Sequence, residues 1–316
     1  MGDILGIHHM TAISGPAQEN LDFYTGILGL RLVKLTVNFD DPSAYHLYYG
    51  DGAGSPGTIL TFFPYPDGHP GRPGAGQATV THLSIPFGAT TYWVDRFRRF
   101  EIDFDRPQTR NGQDHLKFRA PDGLQLELVA SRKYRKFVPW SRSSVPPERA
   151  IGGIESITLV ERALAPTQAV LEGILGFRLV CENEGRFRFE IGEGGCGKTL
   201  EVVIDQNGPA SRQGHGGVHH LAFRVENEQS QIESRLEIVK QGINVSAVMD
   251  RDYFRSIYFR EPGGILFEIA TDPPGFLIDE TVDTLGTSLR LPKQYDEYRR
   301  QIERSLPPFR LPQAQP

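Results

Sequence analysis

The sequence has 316 residues, 39% of them hydrophobic, and a formal net charge of −5. That length accommodates two domains with sizeable cores, and the mild acidity gives no basic footprint for nucleic acid or an anionic membrane. Two cysteines, Cys181 and Cys196, are too few for a disulfide framework, and no apolar run reaches the length of a membrane span; with Met1-Gly2-Asp3-Ile4 unlike a secretory signal, a cytoplasmic protein is expected.

Taken in chain order, four segments repeat one plan: a strand, a helix, then three strands. The first opens with Gly6-Ile7-His8-His9-Met10 leading into a strand at 7–13, and its helical stripe from Asn20 leads to Gly29. Residues 50–76, rich in Gly and Pro, read as a long surface excursion. The second module begins with a strand at 80–86 and closes on the hairpin signal Phe118-Arg119-Ala120-Pro121-Asp122-Gly123-Leu124-Gln125-Leu126-Glu127. Residues 131–150, basic and containing Pro and Ser, read as a linker. The third module starts with a strand at 154–160, and its helical stripe from Thr167 to Gly176 parallels the one that ends at Gly29. Each of these glycines predicts a left-handed helix cap. The segment from Gly192 to Thr199 lacks the spacing of a phosphate loop and precedes a strand. The fourth module carries Gly217-Val218-His219-His220-Leu221 on a strand at 218–225 and repeats the hairpin as Phe259-Arg260-Glu261-Pro262-Gly263-Gly264-Ile265-Leu266-Phe267-Glu268. Beyond it, residues 297–306 predict a short helix packed on the outside. The chain divides as a first pair of modules at 1–135, a linker at 136–150, a second pair at 151–275 and an extension at 276–316.

Two imidazoles and one carboxylate are the ligand set of a mononuclear non-haem iron site with open positions. Strand alternation puts His219, Leu221, Phe223 and Val225 on one face and His220 on the other; it also sets Glu268 opposite Ile265, Phe267 and Ile269, and groups His9 with Thr11. A carboxylate inside so apolar a strand is costly unless paired or metal-bound. His9, His220 and Glu268 are therefore candidate ligands. A rival set exists, because His82 and Glu127 stand in the matching slots of the second module, 127 − 82 = 45 residues apart against 268 − 220 = 48. Periodicity alone does not choose between them.

A βαβββ module opening on Gly-Ile/Val-x-His and closing on Pro-Asp/Gly-Gly-x-x-x-Glu resembles the vicinal oxygen chelate superfamily of glyoxalases, bleomycin-resistance proteins and extradiol dioxygenases. Within it, His8-His9-Met10-Thr11, Leu30-Arg31-Leu32-Val33-Lys34, Tyr45-His46-Leu47-Tyr48 and His219-His220-Leu221-Ala222-Phe223 resemble the hydroquinone-type ring-cleaving dioxygenases, the group that includes 2,6-dichlorohydroquinone dioxygenase. The resemblance implies an α+β fold of four βαβββ modules in two barrel-like domains. It implies an Fe(II) site, with Mn(II) as the alternative ion, that joins O2 to a small aromatic substrate. In that group the first and last modules supply the site, which favours His9, His220 and Glu268 and makes His82 and Glu127 remnants of duplication. Supporting roles are implied for His8, Thr11, His219, Arg251 and Tyr258, although strict alternation turns His8 and His219 away from the metal unless a bulge intervenes. His46, His69, His115 and His215 have no matched context and read as ordinary polar residues. Phe39, Phe62, Phe63, Tyr65 and Trp93 read as core for the most part. Two other readings are a glyoxalase-type metal-dependent isomerase and a non-catalytic binder of small molecules. The ring substituents, the choice of catechol or para-hydroquinone, and any homo-oligomer are left open.

Overall fold

The computed structural model describes residues 2–110, 112–134 and 137–311; the junction expected at 135/136 lies outside the described residues. Module 1 comprises β1 (Ile4–Ser14), α1 (Ala17–Leu21), which runs on as a π-helical stretch at Asp22–Ile27, then β2 (Arg31–Val37), β3 (Tyr45–Gly50) and β4 (Ile59–Pro64). Module 2 comprises β5 (Gln77–Pro86), α2 (Thr90–Arg99), β6 (Gln108–Arg110), β7 (Gln113–Arg119) and β8 (Gln125–Ser131). Module 3 comprises β9 (Gly153–Glu161), α3 (Leu164–Gly173), β10 (Arg178–Asn183), β11 (Arg186–Glu190) and β12 (Thr199–Ile204). Module 4 comprises β13 (Val218–Val225), α4 (Glu228–Lys240), β14 (Met249–Asp250), β15 (Phe254–Arg260) and β16 (Leu266–Pro274), and α5 (Arg299–Ser305) follows in the extension. Gly29 and Gly176 take φ values of 71° and 72°, the left-handed conformation that turns each chain off its helical stripe.

The strands make two curled eight-stranded sheets, in the orders β14-β15-β16-β13-β1-β4-β3-β2 and β10-β11-β12-β9-β5-β8-β7-β6. Modules 1 and 4 thus share one sheet and modules 2 and 3 the other, joined in each case by an antiparallel pair of opening strands, β1 with β13 and β5 with β9. The chain-order division at 1–135 and 151–275 does not follow these sheets, which pair the outer modules with each other.

The expectation for the Gly- and Pro-rich stretch fails. Residues 50–76 are not simply a surface excursion, because Ile59-Leu60-Thr61-Phe62 lies buried in β4, parallel to β1. Six residues of strand were hidden among turn-forming glycines and prolines. The rest of that stretch pairs with its counterpart before β13 through Pro70 with His215, Arg72 with Arg212 and Ala75 with Ala210.

Helices cover one side of each sheet, and the apolar strand faces pack under them. Tyr24 meets Phe62 at 4.5 Å and Phe97 meets Phe118 at 4.6 Å between ring centroids. Each such phenylalanine contributes about 1.5–3 kcal/mol on burial. The extension folds back on module 1. The fully buried Lys34 pairs with Asp279 at 2.6 Å and with the equally buried Glu280. Ile302 of α5 is buried too, as the expected helix at 297–306 requires. Where the two sheets adjoin, Glu161 at the end of β9 lies against Glu261 in the β15–β16 turn. Glu261 is already held by Thr167 Oγ1 at 2.8 Å and the Ile265 amide at 2.9 Å.

Candidate metal centre

The central strands of the first sheet bring His9, His220 and Glu268 together from both ends of the chain. His220 Nε2 lies 2.9 Å and His9 Nε2 3.3 Å from Glu268 Oε2, and the two nitrogens are 3.2 Å apart. All three residues are buried. Glu268 Oε1 accepts a 2.5 Å hydrogen bond from Ser256 on β15, whereas Oε2 has no donor in hydrogen-bonding geometry among the described residues. An unpartnered carboxylate oxygen facing two imidazole nitrogens needs a cation among them to offset its lost hydration. The donor set therefore fits a divalent first-row ion. Burial pushes the Glu268 carboxyl up, but His9 and His220 outweigh it and hold it well below the usual carboxylate range. Burial lowers the His220 pKa, with Glu268 opposing, so its imidazole is kept neutral, the form that can bind a metal.

His8 and His219 stay with the site because both are bulge residues. The β1–β13 register jumps from Ile7 opposite Phe223 to His9 opposite Ala222, and from Thr11 opposite His220 to Ala12 opposite Val218, leaving His8 and His219 as the extra residues. Nδ1 of His8 lies 2.9 Å from Nδ1 of His9, and Nδ1 of His219 lies 2.8 Å from Nδ1 of His220. Each doublet therefore orients its inner ring through its outer one, with Nε2 of the inner ring turned to Glu268. Burial keeps His8 well below its ordinary pKa and brings His219 down to about 3. Strict alternation is overridden here by irregular pairing.

Thr11 lies 2.8 Å from His220 Nε2 and 2.7 Å from Thr61, whose hydroxyl is 2.9 Å from His46 Nε2; His46 Nδ1 in turn is 2.9 Å from the Tyr48 hydroxyl. His46 is thus part of the site rather than an ordinary polar residue. Its signal was the alternation of His46 with Tyr48 on β3, which puts both on the face of Thr61 and Thr11. His69 is exposed and His215 holds the Tyr65 carbonyl at 2.6 Å, as ordinary polar residues do.

A cavity of about 480 Å³ opens beside His9 and His220 and is walled by Phe39, Phe63, Phe254, Leu266 and Tyr258. Phe63, Phe39 and Tyr65 line it, while Phe62 and Trp93 are core. Tyr258 stands beside Glu268 in the β15–β16 register, with its ring 5.7 Å from that of His220. Burial and the Glu268 charge push its phenol pKa up, so it is a hydrogen-bond donor. Arg251 crosses the mouth, 5.6 Å from the Tyr258 ring and 3.0 Å from Asp40. Burial opposes its charge, but Tyr258 and Asp40 outweigh that and raise its pKa. The rival grouping of His9 with His82 and Glu127 is not formed, since His82 and Glu127 belong to the other sheet.

A family model described as the Glyoxalase/Bleomycin resistance protein/Dioxygenase superfamily matches residues 6–128 and 153–269. Over 307 residues the chain is 44% identical to a Bacillus subtilis protein, covering 97% of both; that relative is named, provisionally, ring-cleaving dioxygenase MhqO. It is 32% identical over 309 residues to the chlorohydroquinone/hydroquinone 1,2-dioxygenase of Sphingobium indicum, with 95% of each chain covered. A solved Bacillus subtilis structure, again named provisionally as a dioxygenase, matches with a TM-score of 0.94 at 42% identity, covering 99% of this chain and 100% of that one.

Proposed function

This chain belongs to the Glyoxalase/Bleomycin resistance protein/Dioxygenase superfamily, and from that premise we propose that it is a ring-cleaving dioxygenase acting on a hydroquinone- or catechol-type aromatic with O2. The observation that carries the reading is the convergence of His9, His220 and the unpartnered Glu268 Oε2 beside an aromatic-walled cavity. These residues would hold Fe(II), or Mn(II), which when bound supplies Lewis acidity toward a phenolic hydroxyl and an electron path to O2.

The remaining steps fall to side chains. Phe39, Phe63 and Phe254 offer apolar walls to a single aromatic ring and exclude water, in a cavity of about 480 Å³. Arg251, fixed by Asp40, faces the negative charge that a deprotonated phenol carries. Tyr258 keeps its proton and donates it as a hydrogen bond to an oxygen in the cavity. One proton order satisfies the polar chain: Tyr48 donates to His46, His46 to Thr61, Thr61 to Thr11, and Thr11 to the His220 Nε2 lone pair. His46 and Tyr48 line the cavity, so their end of this polar chain is the one that would meet a substrate hydroxyl, while Thr11 holds the other end beside His220. A cytoplasmic setting suits a ferrous centre, and no helix among the described residues is long and apolar enough to cross a membrane.

An isomerase of this scaffold usually has more than one acidic ligand, and this cluster holds a single carboxylate. Oxygen consumption by anaerobically Fe(II)-loaded protein, given hydroquinones and catechols separately, tests the proposal. Stoichiometric uptake with one class, abolished in His220→Ala, is expected. No uptake with either class, despite bound metal, would transfer the assignment to the isomerase.

A further inference from the structure

The second sheet holds a cluster that the proposed reaction does not use. Sequence spacing makes His82 and Glu127 counterparts of His220 and Glu268 and hence remnants, but the strand register corrects this. In the first sheet Glu268 lies beside Ala222, Ala222 faces His9, and His220 faces Thr11. In the second, Glu127 lies beside His82, His82 faces Ser156, and Val80 faces Thr158. Glu127 thus keeps the slot of Glu268, while the slots of His9 and His220 hold Ser156 and Val80. His82 stands in the slot of Ala222.

A decaying copy would keep its ligands in their old places. Here both imidazoles occupy new ones. The second comes from β7, where His115 pairs with Val129 as Ser256 pairs with Ala270 in the first sheet. His82 Nδ1 lies 2.6 Å and His115 Nδ1 3.1 Å from Glu127 Oε2, with all three donor atoms within 4.8 Å of one another. Thr158 Oγ1 is 2.8 Å from His82 Nε2 and so turns Nδ1 toward the cluster. A cavity of about 210 Å³ borders the three side chains, leaving room for further ligands. One cation already stands there: Nη2 of Arg110 contacts Glu127 Oε1 and lies 2.9 Å from His115 Nδ1, on a side chain that is 36% exposed.

We propose that His82, His115 and Glu127 form a second divalent-metal site, and that Arg110 is the stand-in cation the ion displaces. Two imidazoles with one carboxylate select a borderline first-row ion such as Zn(II), Co(II) or Fe(II) over Mg(II) or Ca(II). The site shares no residue with the first, so it stands whether or not the chain cleaves rings.

The test is Co(II) titration of the His9→Ala/His220→Ala chain, read by visible d–d absorption and by metal analysis after gel filtration, with far-UV circular dichroism as the check on folding. One equivalent is expected to bind, to be lost in a further His82→Ala or Glu127→Gln change, and to bind about tenfold or more tightly after Arg110→Gln, the size of one charged hydrogen bond. A gain on Arg110→Gln cannot come from misfolding. Absence of Co(II) absorption both with and without Arg110→Gln, or absorption that survives His82→Ala, would overturn the proposal.

Discussion

Ser256 fixes which oxygen of Glu268 faces the two imidazoles, since its 2.5 Å bond occupies Oε1 and leaves Oε2 for the cluster. Hydrogen-bond partners of this kind tune metal affinity through the ligand they hold. Ser256→Ala is therefore expected to weaken metal retention about 10- to 100-fold with the fold intact, measured by competition with a chromophoric chelator; unchanged affinity would show that Glu268 is oriented by packing alone. His9, His220 and Glu268 were legible in the sequence because each sits in a repeated motif. Ser256 and His115 were not, although each lies 12 residues before its glutamate, because a serine and a histidine share no chemistry that a motif comparison would register. His46 escaped for a related reason, as its role depends on two threonines contributed by other strands.

Among the elements, the opening strands and closing hairpins were readable to within a few residues, and β13 falls on the expected 218–225. Their alternating faces carry the signal. β4 was not readable, because its six residues are apolar on both faces within a Gly- and Pro-rich stretch and give no alternation to detect, and its burial is set by β1 beside it. The bulges at His8 and His219 were also out of reach, since register belongs to the pair of strands and not to either alone. The extension is tied down by two buried cations, Arg31 on the Val282 and Leu285 carbonyls and Lys34 on Asp279 and Glu280. Among the described residues, Lys34→Ala would leave Glu280, whose side chain is fully buried, facing no ammonium, with the guanidinium groups of Arg290, at 3.6 Å, and Arg31 as partial compensation. A loss of about 3–5 kcal/mol is expected in urea unfolding, the range for breaking a buried pair from one side. A loss under about 1 kcal/mol would mean that the segment is held by its apolar contacts instead.

At the scale of the molecule, the two sheets adjoin through a pair of acids. Burial, and then Glu261 beside it, push the Glu161 carboxyl up to about 8. In the unfolded chain the same group titrates near its ordinary 4.5. Between those pH values the folded protein keeps a proton that the unfolded chain has released, so stability falls as pH rises through this window. The slope for one proton is at most about 1.4 kcal/mol per pH unit. Glu161→Gln, a neutral mimic of the protonated acid, is expected to flatten that decline and to raise the melting temperature above pH 8, as read by thermal unfolding at a series of pH values. A decline of the same steepness in Glu161→Gln would assign it to another group.

Because the first sheet joins modules 1 and 4, its order of assembly is constrained during synthesis. β5 through β12 emerge as one uninterrupted stretch and can pair as they leave the ribosome, whereas β1 must wait for β13, some two hundred residues later. Until then His9 has neither His220 nor Glu268 beside it, and β1 presents an open edge. A truncated or stalled chain can thus carry the inner sheet while lacking the outer cluster, so the oxygen chemistry proposed for that cluster waits on completion of the fourth module.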